Sequence, residues 1–464
     1  MARLMRVTRT RRPATREMKL VQMVIWNQRP PTLAILSKKG KSVILVARNM
    51  QRQRTRQRDK RKHQKELKNI RRRQYEVVAA LYQCEVKDLH LHFDVRKDKN
   101  CLERLQALES ATQKPLDRAA IDATGLDWYW LYKPGIHVGL VSRTGRPPLI
   151  VFAVRITPWS AFNVGALRTV RDTLGSVMDW GQHVYPIKNN SAMQGPAHER
   201  ASVKKGKSKE AAEKHGTMYG VGWHNGQEDG KNVVAYANQA KDEASQLRAK
   251  KLVLQLPKIA ALYRSGLTYL FPGGARKMQD FADEEAILSL GDVFDGVNTE
   301  RPFANSLTVT RNEFANFMHQ DNDATNIAYG MWWCAKQKGE DWVFSDDADH
   351  DKTTGGEFIW ADYGFGVDFA RCKGLVEIYW RGSMDYHGTL RSLDTEGYTR
   401  FGTSIQITQK AMESMRKVWD VQSLADSEHK ARNLEKGSKV VTPNERADAR
   451  PTGSKKNKKV KTNV

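Results

Sequence analysis

The sequence predicts an α+β protein in which helices flank a double-stranded β-helix, a jelly-roll arrangement of the cupin type. Between about residues 303 and 408, aromatic and β-branched runs bounded by Gly or by charged residues follow one another, as is typical of short strands. Before and after that region the sequence is rich in helix-forming residues. At 464 residues, the chain can bury a substantial core in one large domain or two moderate ones.

Charge separates a near-neutral body from two basic ends. Residues 1–75 hold 24 Lys+Arg against 3 Asp+Glu, and residues 430–464 hold 11 against 3, so these ends carry +21 and +8 of a net charge of +25 and leave the body at −4. Such ends are typical of electrostatic arms whose partner is a polyphosphate. No stretch approaches eighteen uninterrupted apolar residues, which excludes a membrane span.

We expect four regions along the chain. Residues 1–85 form a basic arm with a long helix, residues 86–302 an α/β flanking region, residues 303–425 the β-helix core, and residues 426–464 a disordered basic tail. Within the flanking region, residues 189–230 are rich in Gly, Lys, Ser and Asn, which predicts a mobile basic insertion.

The segment from Ala47 to Leu81 predicts one long helix, because helix formers fill it and neither Gly nor Pro interrupts it. A solvated charged helix or a coiled coil is one interpretation. Its first half has too few apolar positions for a coiled-coil seam, so we favour a helix that faces phosphates.

The remaining elements follow from periodicity and turn residues. They are a helix over residues 101–122, strands separated by turns over 122–156, a helix over 165–180, a long helix over 236–263 that Pro257 should kink or split, strands at 306–310, 326–335, 357–363, 366–370 and 374–381, and a final amphipathic helix from about 409.

His319-Gln320-Asp321, followed by His387, has the residue types of a metal triad. Two imidazoles and one carboxylate on one side of an ion leave the opposite positions open, which suits a non-haem Fe(II) oxygenase. His319 and Asp321 lie two residues apart, so on an extended segment both side chains point the same way. We expect all three residues to be catalytic as ligands of Fe(II).

A second motif of the same type competes with the first. His92-Phe93-Asp94 precedes His137 and then Arg143 or Arg146. A double-stranded β-helix needs strands between its two ligand segments, but residues 101–122 predict a helix, whereas strand-like runs follow His319. We therefore favour the later set and interpret His92 as a surface or helix-packing residue.

Arg400 is the candidate for binding 2-oxoglutarate, because a guanidinium can fork onto the far carboxylate of that cosubstrate. It stands thirteen residues after His387, at the head of the alternating run FGTSIQIT. Arg391 is the rival candidate. Arg311, which precedes the metal motif, is a second candidate for contact with the cosubstrate.

Two aspartates flank the proposed ligands. Asp323 and Asp385 are either ordinary turn residues or partners that fix a histidine tautomer. Asp323 is also a candidate substrate-binding residue, as an acceptor for the exocyclic amine of a nucleobase. The surrounding aromatic residues form either barrel core, which we favour, or a stacking wall for a flipped base; they are Trp332, Trp333, Phe358, Trp360 and Tyr363.

With HQD, the GGEF turn, SMDYHGT and TRFGTSIQI in this order, residues 303–410 resemble the Tet/JBP family of dioxygenases, its fungal Tet-like members above all. The resemblance implies an enzyme that uses Fe(II) and 2-oxoglutarate to oxidise the methyl group of 5-methylcytosine in DNA, through hydroxymethyl to formyl and carboxyl. It also implies the ligands His319, Asp321 and His387, and the cosubstrate arginine Arg400.

Two departures from that family bear on the substrate. Ala324 stands where several relatives have a polar residue that contacts the base, and the four cysteines form no zinc spacing. Oxidation of N6-methyladenine, thymine or RNA, hydroxylation of a protein, and non-catalytic DNA binding by a degenerate barrel remain alternatives. We expect a monomer in the nucleus that binds double-stranded DNA containing methylated bases. The basic start also has features of a mitochondrial transit peptide but continues far beyond the usual length of one.

Overall fold

The computed structural model describes residues 41–143, 146–184, 186–187, 216–225, 233–236, 242–292 and 301–420. The chain divides into two compact units, one of residues 1–78 with 142–148 and one of residues 79–141 with 149–464. The predicted C-terminal tail and most of the predicted insertion lie outside the described residues.

The helices and strands are numbered in chain order. The α-helices are α1 (Lys41–Tyr82), α2 (Lys99–Thr112), α3 (Arg118–Ala123), α4 (Val164–Trp180), α5 (Glu243–Val253), α6 (Leu256–Leu270), α7 (Pro272–Glu284) and α8 (Gln409–Asp420). Short 3₁₀ helices span Val86–Asp88, Trp159–Ala161, Asp347–Lys352 and Phe369–Arg371. The strands are β1 (Leu89–His92), β2 (Tyr129–Leu131), β3 (Gly135–Arg143), β4 (Arg146–Thr157), β5 (Thr217–Asn225), β6 (Val233–Ala235), β7 (Ser306–Arg311), β8 (Ala328–Lys338), β9 (Asp341–Phe344), β10 (Thr353–Gly355), β11 (Phe358–Trp360), β12 (Phe365–Val367), β13 (Leu375–Trp380), β14 (His387–Thr389), β15 (Ser392–Asp394) and β16 (Tyr398–Gln406).

The long basic helix predicted over 47–81 is confirmed by α1, which spans 42 residues. Its side chains from Arg52 to Arg73 are exposed. The Arg72–Glu76 ion pair, at 3.6 Å, is exposed on both sides and contributes little to stability. This part of the helix therefore presents its cations to solvent.

The last turn of α1 belongs to the second unit and is buried there. Ala79 and Tyr82 are 4% and 2% exposed. The Tyr82 hydroxyl donates to the Leu270 carbonyl at the end of α6 (2.8 Å), and the Tyr269 hydroxyl donates to the Tyr82 carbonyl (2.8 Å). These reciprocal bonds join the last turn of α1 to α6.

The order of the strands is consistent with a double-stranded β-helix. In the larger, ten-stranded sheet, β7, β16, β8 and β13 pair antiparallel in that order. In a four-stranded sheet, β14, β11 and β12 also pair antiparallel. The mixed α+β class predicted from the sequence is thus observed.

Strands from the predicted flanking region extend the same large sheet. β4 pairs with β13, and β5 pairs with β7, both antiparallel. β1 and β3 continue the sheet beyond β4 and pair parallel to each other. The flanking region is therefore continuous with the core rather than separate from it.

Alternation along the strands decides which side chains face the helices. Trp333 and Phe401 stack at 5.6 Å on one face, where Trp333 Nε1 lies 3.4 Å from Met178 Sδ of α4. Tyr263 of α6 bonds Thr403 Oγ1 on the same face (2.6 Å). Neighbouring residues such as Trp332 point to the opposite face, toward the four-stranded sheet, where Trp332 packs on Phe358 (ring centroids 5.5 Å apart).

Proline positions explain where two predicted helices divide. α2 ends at Thr112, Gln113 adopts a left-handed conformation (φ 55°), and α3 begins after Pro115 with Asp117 as its N-cap. The helix predicted over 236–263 divides into α5 and α6, with Pro257 in the first turn of α6. Among the described helices, none combines the length and apolarity needed to cross a bilayer.

Candidate metal centre

The backbone places His319 and His387 directly opposite each other. Each donates its amide N–H to the other's carbonyl at 3.0 Å, an isolated antiparallel bridge that continues the edge of β14. Their rings lie 4.6 Å apart. Two residues that are distant in the sequence are thus fixed as a pair by the main chain alone.

Asp321 completes the group. Its two carboxylate oxygens lie 3.3 Å from Nε2 of His319 and 3.3 Å from Nε2 of His387. Ligand atoms of the three residues all lie within 4.8 Å of one another, a spacing that lets them bind one ion. Across the described part of the chain, this is the group of three potential ligands that meets that spacing.

Main-chain carbonyls fix the tautomer of both imidazoles. Nδ1 of His319 donates to the Phe317 carbonyl (2.8 Å), and Nδ1 of His387 donates to the Asp385 carbonyl (3.0 Å). A carbonyl can only accept, so Nδ1 carries a proton and Nε2 is the nitrogen that faces the centre. Metal-binding histidines characteristically have such a partner for the second nitrogen.

Electrostatics keeps one carboxylate of the centre ionised. Burial favours the neutral form of Asp321, but the charge of His387 and hydrogen bonds from both histidines outweigh burial and lower the pKa of Asp321. Burial and the charge of Asp321 raise the pKa of Asp323 well above its ordinary value. The site thus offers one anionic oxygen donor, and its two Nε2 atoms can bind an ion once they carry no proton.

A cavity of about 140 Å³ opens beside the three residues. Its other lining residues are Met218, Thr308, Thr310, Phe314, Asn316, Trp332, Phe358, Trp380, Thr389, Gly402, Thr403, Ser404 and Gln406. Asn316 is fixed there, because its Oδ1 accepts the Thr389 amide (2.6 Å) and its side-chain amide group is left as a donor. Among the described residues that line the cavity, neutral polar and aromatic side chains predominate and no lysine or arginine is present.

Residues 186–392 match the Tet-like 2OG-Fe(II) oxygenase superfamily. This segment contains the two histidines and the aspartate, whose arrangement fits the iron ligands of such an oxygenase. The segment belongs to that superfamily.

Comparisons with single proteins are more distant. A solved structure of NgTET1 in complex with 5mC DNA is 12% identical, with a TM-score of 0.33, over 68% of this chain and 92% of that one. A 2OG-Fe(II) oxygenase family oxidoreductase from Burkholderia pseudomallei is 14% identical, with a TM-score of 0.25, over 55% and 88% of the two chains. No curated protein matches the chain.

The structure places Arg400 outside the cavity lining. Its guanidinium donates to the main-chain carbonyls of Thr353 (2.7 Å) and Gly355 (2.7 Å) and lies over the Phe369 ring (4.9 Å). Trp332, which stacks on Phe369 at 5.7 Å, lines the cavity. Arg400 shares its face of β16 with Gly402 and Ser404, but is not brought together with the metal centre.

Neither other arginine reaches the cavity. Arg311 alternates with the lining residue Thr310 and so points to the opposite face, where its guanidinium lies 6.0 Å from the ring centroids of Tyr219 and Phe401. The structure thus places Arg311 on the face of the sheet opposite the cavity, and its contact with 2-oxoglutarate stays a prediction. Arg391 is partly exposed and pairs with Asp117.

Asp323 and Asp385 have different surroundings from those expected. Both carboxylate oxygens of Asp323 are buried without a hydrogen-bond partner, and this residue does not line the cavity. Asp385 does hold His387, but through its main-chain carbonyl. Its carboxylate instead binds Arg381, at 2.6 and 2.7 Å.

Glu109 is a residue of the site that sequence reasoning missed. It lies on α2, is 2% exposed, and both its oxygens accept the Met318 amide N–H (3.0 and 3.2 Å), next to His319. Burial raises the pKa of Glu109 to about 7. No motif contains it; the available signal was a lone acidic residue on the apolar face of a predicted helix.

The aromatic residues predicted as barrel core are buried. Trp332, Trp333, Phe358, Trp360 and Tyr363 are each less than 9% exposed. Trp332 and Phe358 also line the cavity, so these two core residues are exposed to whatever enters it.

Proposed function

We propose that this Tet-like oxygenase oxidises the methyl group of 5-methylcytosine in double-stranded DNA to hydroxymethyl-, formyl- and carboxylcytosine. The observation that carries the proposal is the convergence of His319, Asp321 and His387 at a cavity of neutral polar and aromatic side chains. Bound Fe(II) and 2-oxoglutarate would supply the oxidising chemistry that a methyl C–H bond requires.

The donor set fits Fe(II). Two imidazole nitrogens and one anionic oxygen face a common point, and all three residues line the cavity. With both Nδ1 atoms held by carbonyls, neither ring needs to reorient when an ion binds. These residues would therefore bind the metal at little reorganisation cost.

The cavity lining suits a flipped, uncharged base. Enzymes that act on a base inside a duplex extrude it, at a cost of a few kcal/mol, and bind it by stacking and by hydrogen bonds to its polar edge. Phe314 and Trp332 offer aromatic surfaces, while Asn316 and Gln406 offer amide groups. We also propose Asp323, which lies outside the lining, as an acceptor for the exocyclic amine, since its oxygens have no hydrogen-bond partner.

Arg400 remains our proposal for the far carboxylate of 2-oxoglutarate. It projects from the same face of β16 as Ser404, and its Nε is buried without a hydrogen-bond partner. Replacement of Arg400 by Met should raise the dissociation constant for 2-oxoglutarate, measured by calorimetry with Mn(II) in place of iron. An unchanged constant would exclude this role.

The exposed cations of α1 would bind the phosphates of DNA. Each phosphate contact releases counterions, so affinity should fall steeply as salt rises. A chain that begins at residue 74 should bind duplex DNA more weakly and with a shallower salt dependence, measured by fluorescence anisotropy. We further propose that the protein works in the nucleus as a monomer.

The decisive experiment is incubation with a 5-methylcytosine duplex, Fe(II) and 2-oxoglutarate, followed by mass spectrometry of nucleosides and assay of succinate. Wild type should form oxidised cytosines and succinate, and His319→Ala should form neither while retaining its affinity for DNA. His92→Ala, in the other His-x-Asp motif, is the matched control and should keep its activity.

The same assay separates the alternative functions. Duplexes that carry N6-methyladenine or thymine, and methylated RNA, should give less product than 5-methylcytosine DNA. Product from one of these alone would assign a different substrate. Failure to bind any divalent metal would instead favour non-catalytic DNA binding.

A further inference from the structure

The turn between β13 and β14 contacts two of the three proposed ligands through its main chain. The Gly382 carbonyl accepts the amide N–H of Asp321 at 2.9 Å. The Asp385 carbonyl accepts Nδ1–H of His387 at 3.0 Å. The conformation of residues 381–385 therefore sets where Asp321 and His387 stand relative to each other.

A buried ion pair closes this turn. Arg381 and Asp385 are 6% and 0% exposed. Nε of Arg381 donates to Asp385 Oδ2 (2.7 Å) and Nη2 donates to Oδ1 (2.6 Å), a fork that fixes orientation as well as distance. The amide N–H groups of Met384 and Asp385 also donate to the Arg381 carbonyl (3.0 and 3.1 Å).

Two further side chains hold the Asp385 carboxylate. The Tyr363 hydroxyl donates to Oδ1 (2.9 Å) and accepts from Nη2 of Arg381 (2.7 Å). Lys97, which lies between β1 and α2, places Nζ 3.0 Å from the same oxygen and donates to the Met384 carbonyl (2.9 Å). Asp385 is thus bound from three sides by side chains that lie outside the proposed ligand set.

We infer that Arg381 and Asp385 are positioning residues for the metal centre, because their ion pair fixes the carbonyls that hold Asp321 and His387. The inference rests on the proposed function, since it assumes that these residues bind a metal. A purely structural role is the competing interpretation, because buried ion pairs are costly to break wherever they occur.

The chain offers a matched control for that interpretation. Arg155 forks onto Glu377 between β4 and β13, and the Tyr329 hydroxyl of β8 bonds the same carboxylate (2.6 Å). Glu377 is 1% exposed. This pair has the same forked geometry as Arg381–Asp385 and an equally buried carboxylate, although Arg155 is more exposed than Arg381 (27% against 8% of the side chain). It joins strands of the large sheet rather than the turn that holds Asp321 and His387.

The test is titration of the full-length protein with Co(II) alone, well below each variant's unfolding midpoint. Asp385→Asn should raise the Co(II) dissociation constant about 10- to 100-fold and change the visible absorption of the bound ion. Glu377→Gln should lower the unfolding midpoint but leave both readouts as in wild type. Arg381→Lys keeps the charge but cannot form the two-pronged contact, so its Co(II) dissociation constant should lie between those of wild type and Asp385→Asn.

The outcomes separate this inference from the proposed function. If wild type and folded Asp385→Asn bind Co(II) equally, the positioning role is wrong while the metal centre stands. If wild type binds no Co(II), the proposed function itself fails. Should Asp385→Asn not fold, Tyr363→Phe and Lys97→Met each remove one contact to Asp385; weaker binding in both supports the inference, and unchanged binding in both overturns it.

Discussion

The two His-x-Asp motifs bring two histidines together in very different ways. His92 and His137, on the parallel strands β1 and β3, place Nε2 and Nδ1 3.3 Å apart. His319 and His387 instead direct both Nε2 atoms at Asp321. In the first pair, one imidazole is the hydrogen-bond partner of the other. In the second pair, both imidazoles contact the Asp321 carboxylate.

The backbone after each histidine explains the difference. β1 ends at His92, and Asp94 has a left-handed φ of 57°, so the extended alternation stops before the carboxylate. The segment of Asp321 is held in place by the Gly382 carbonyl. In this chain, the His-x-Asp motif whose aspartate is held in line by a neighbouring segment forms the candidate metal centre, and the other motif packs between strands.

The largest expected effect comes from removing one histidine of each pair. His387→Ala should abolish Co(II) binding, because two ligands remain and the ring that fixes Asp321 is lost. His137→Ala should leave the stoichiometry at one ion per chain. Equilibrium dialysis measures both variants, and a lost ion in His137→Ala would mean that the first pair also binds metal.

A methyl group added beside Asp321 should weaken the centre without removing a ligand. A Cβ at Gly382 would lie 2.5 Å from Asp321 Oδ2 and 3.1 Å from Asp323 Oδ2. Gly382→Ala should thus weaken Co(II) binding by about tenfold or more, the range seen when ligand orientation is disturbed. Gly175→Ala, on α4, is the control, because nothing lies within 4 Å of its Cβ position.

Loss of Glu109 should destabilise the segment that carries His319. Glu109→Ala leaves the buried Met318 N–H without its acceptor, which should cost about 1–3 kcal/mol in the free energy of unfolding. Glu109→Gln retains an acceptor and should cost less. Urea denaturation of the metal-free protein measures both, and equal losses would show that the charge, not the hydrogen bond, is what matters.

The smallest expected effect is a pH dependence from the first pair. Burial lowers the pKa of His92 to about 4 and that of His137 to about 3. Because both folded-state values lie below the ordinary value of about 6.5, the unfolded chain takes up protons that the folded chain does not, and stability is lost as pH falls from about 6.5 to 4.

His92→Phe removes one of these groups. Between pH 6.5 and 4.5 it should lose about 1–2 kcal/mol less stability than wild type, measured by urea denaturation at each pH. Parallel curves for the two proteins would show that His92 is already protonated in the folded state.

Sequence reasoning selected the three candidate ligands that the structure brings together, because their chemistry is carried by residue type and local spacing. The sequence also indicates which face of a strand each residue occupies. Because Arg311 directly follows Thr310 on a strand, their side chains point to opposite faces, and Arg311 points away from the cavity that Thr310 lines. The division of the predicted helix over 101–122 could likewise have been read from Pro115. Local rules are therefore sufficient for both of these features.

Other features depended on contacts between distant segments. Nothing local connects Glu109 to Met318, Lys97 to Asp385, or His92 to His137, because each pair is brought together only when the sheets form. The interactions of Arg400 with Thr353 and Gly355 are of the same kind. Such pairings carry no signature in a single sequence.

The buried last turn of α1 determines where the chain can be shortened. Composition alone suggests cutting after residue 85, where the basic arm was expected to end. That cut would remove Tyr82. It would leave a cavity beside α6, and the Leu270 carbonyl would lose its hydrogen-bond donor. A chain that starts near residue 74 lacks the exposed cations but retains the buried last turn of α1. A loss of DNA affinity could then be separated from a loss of folding.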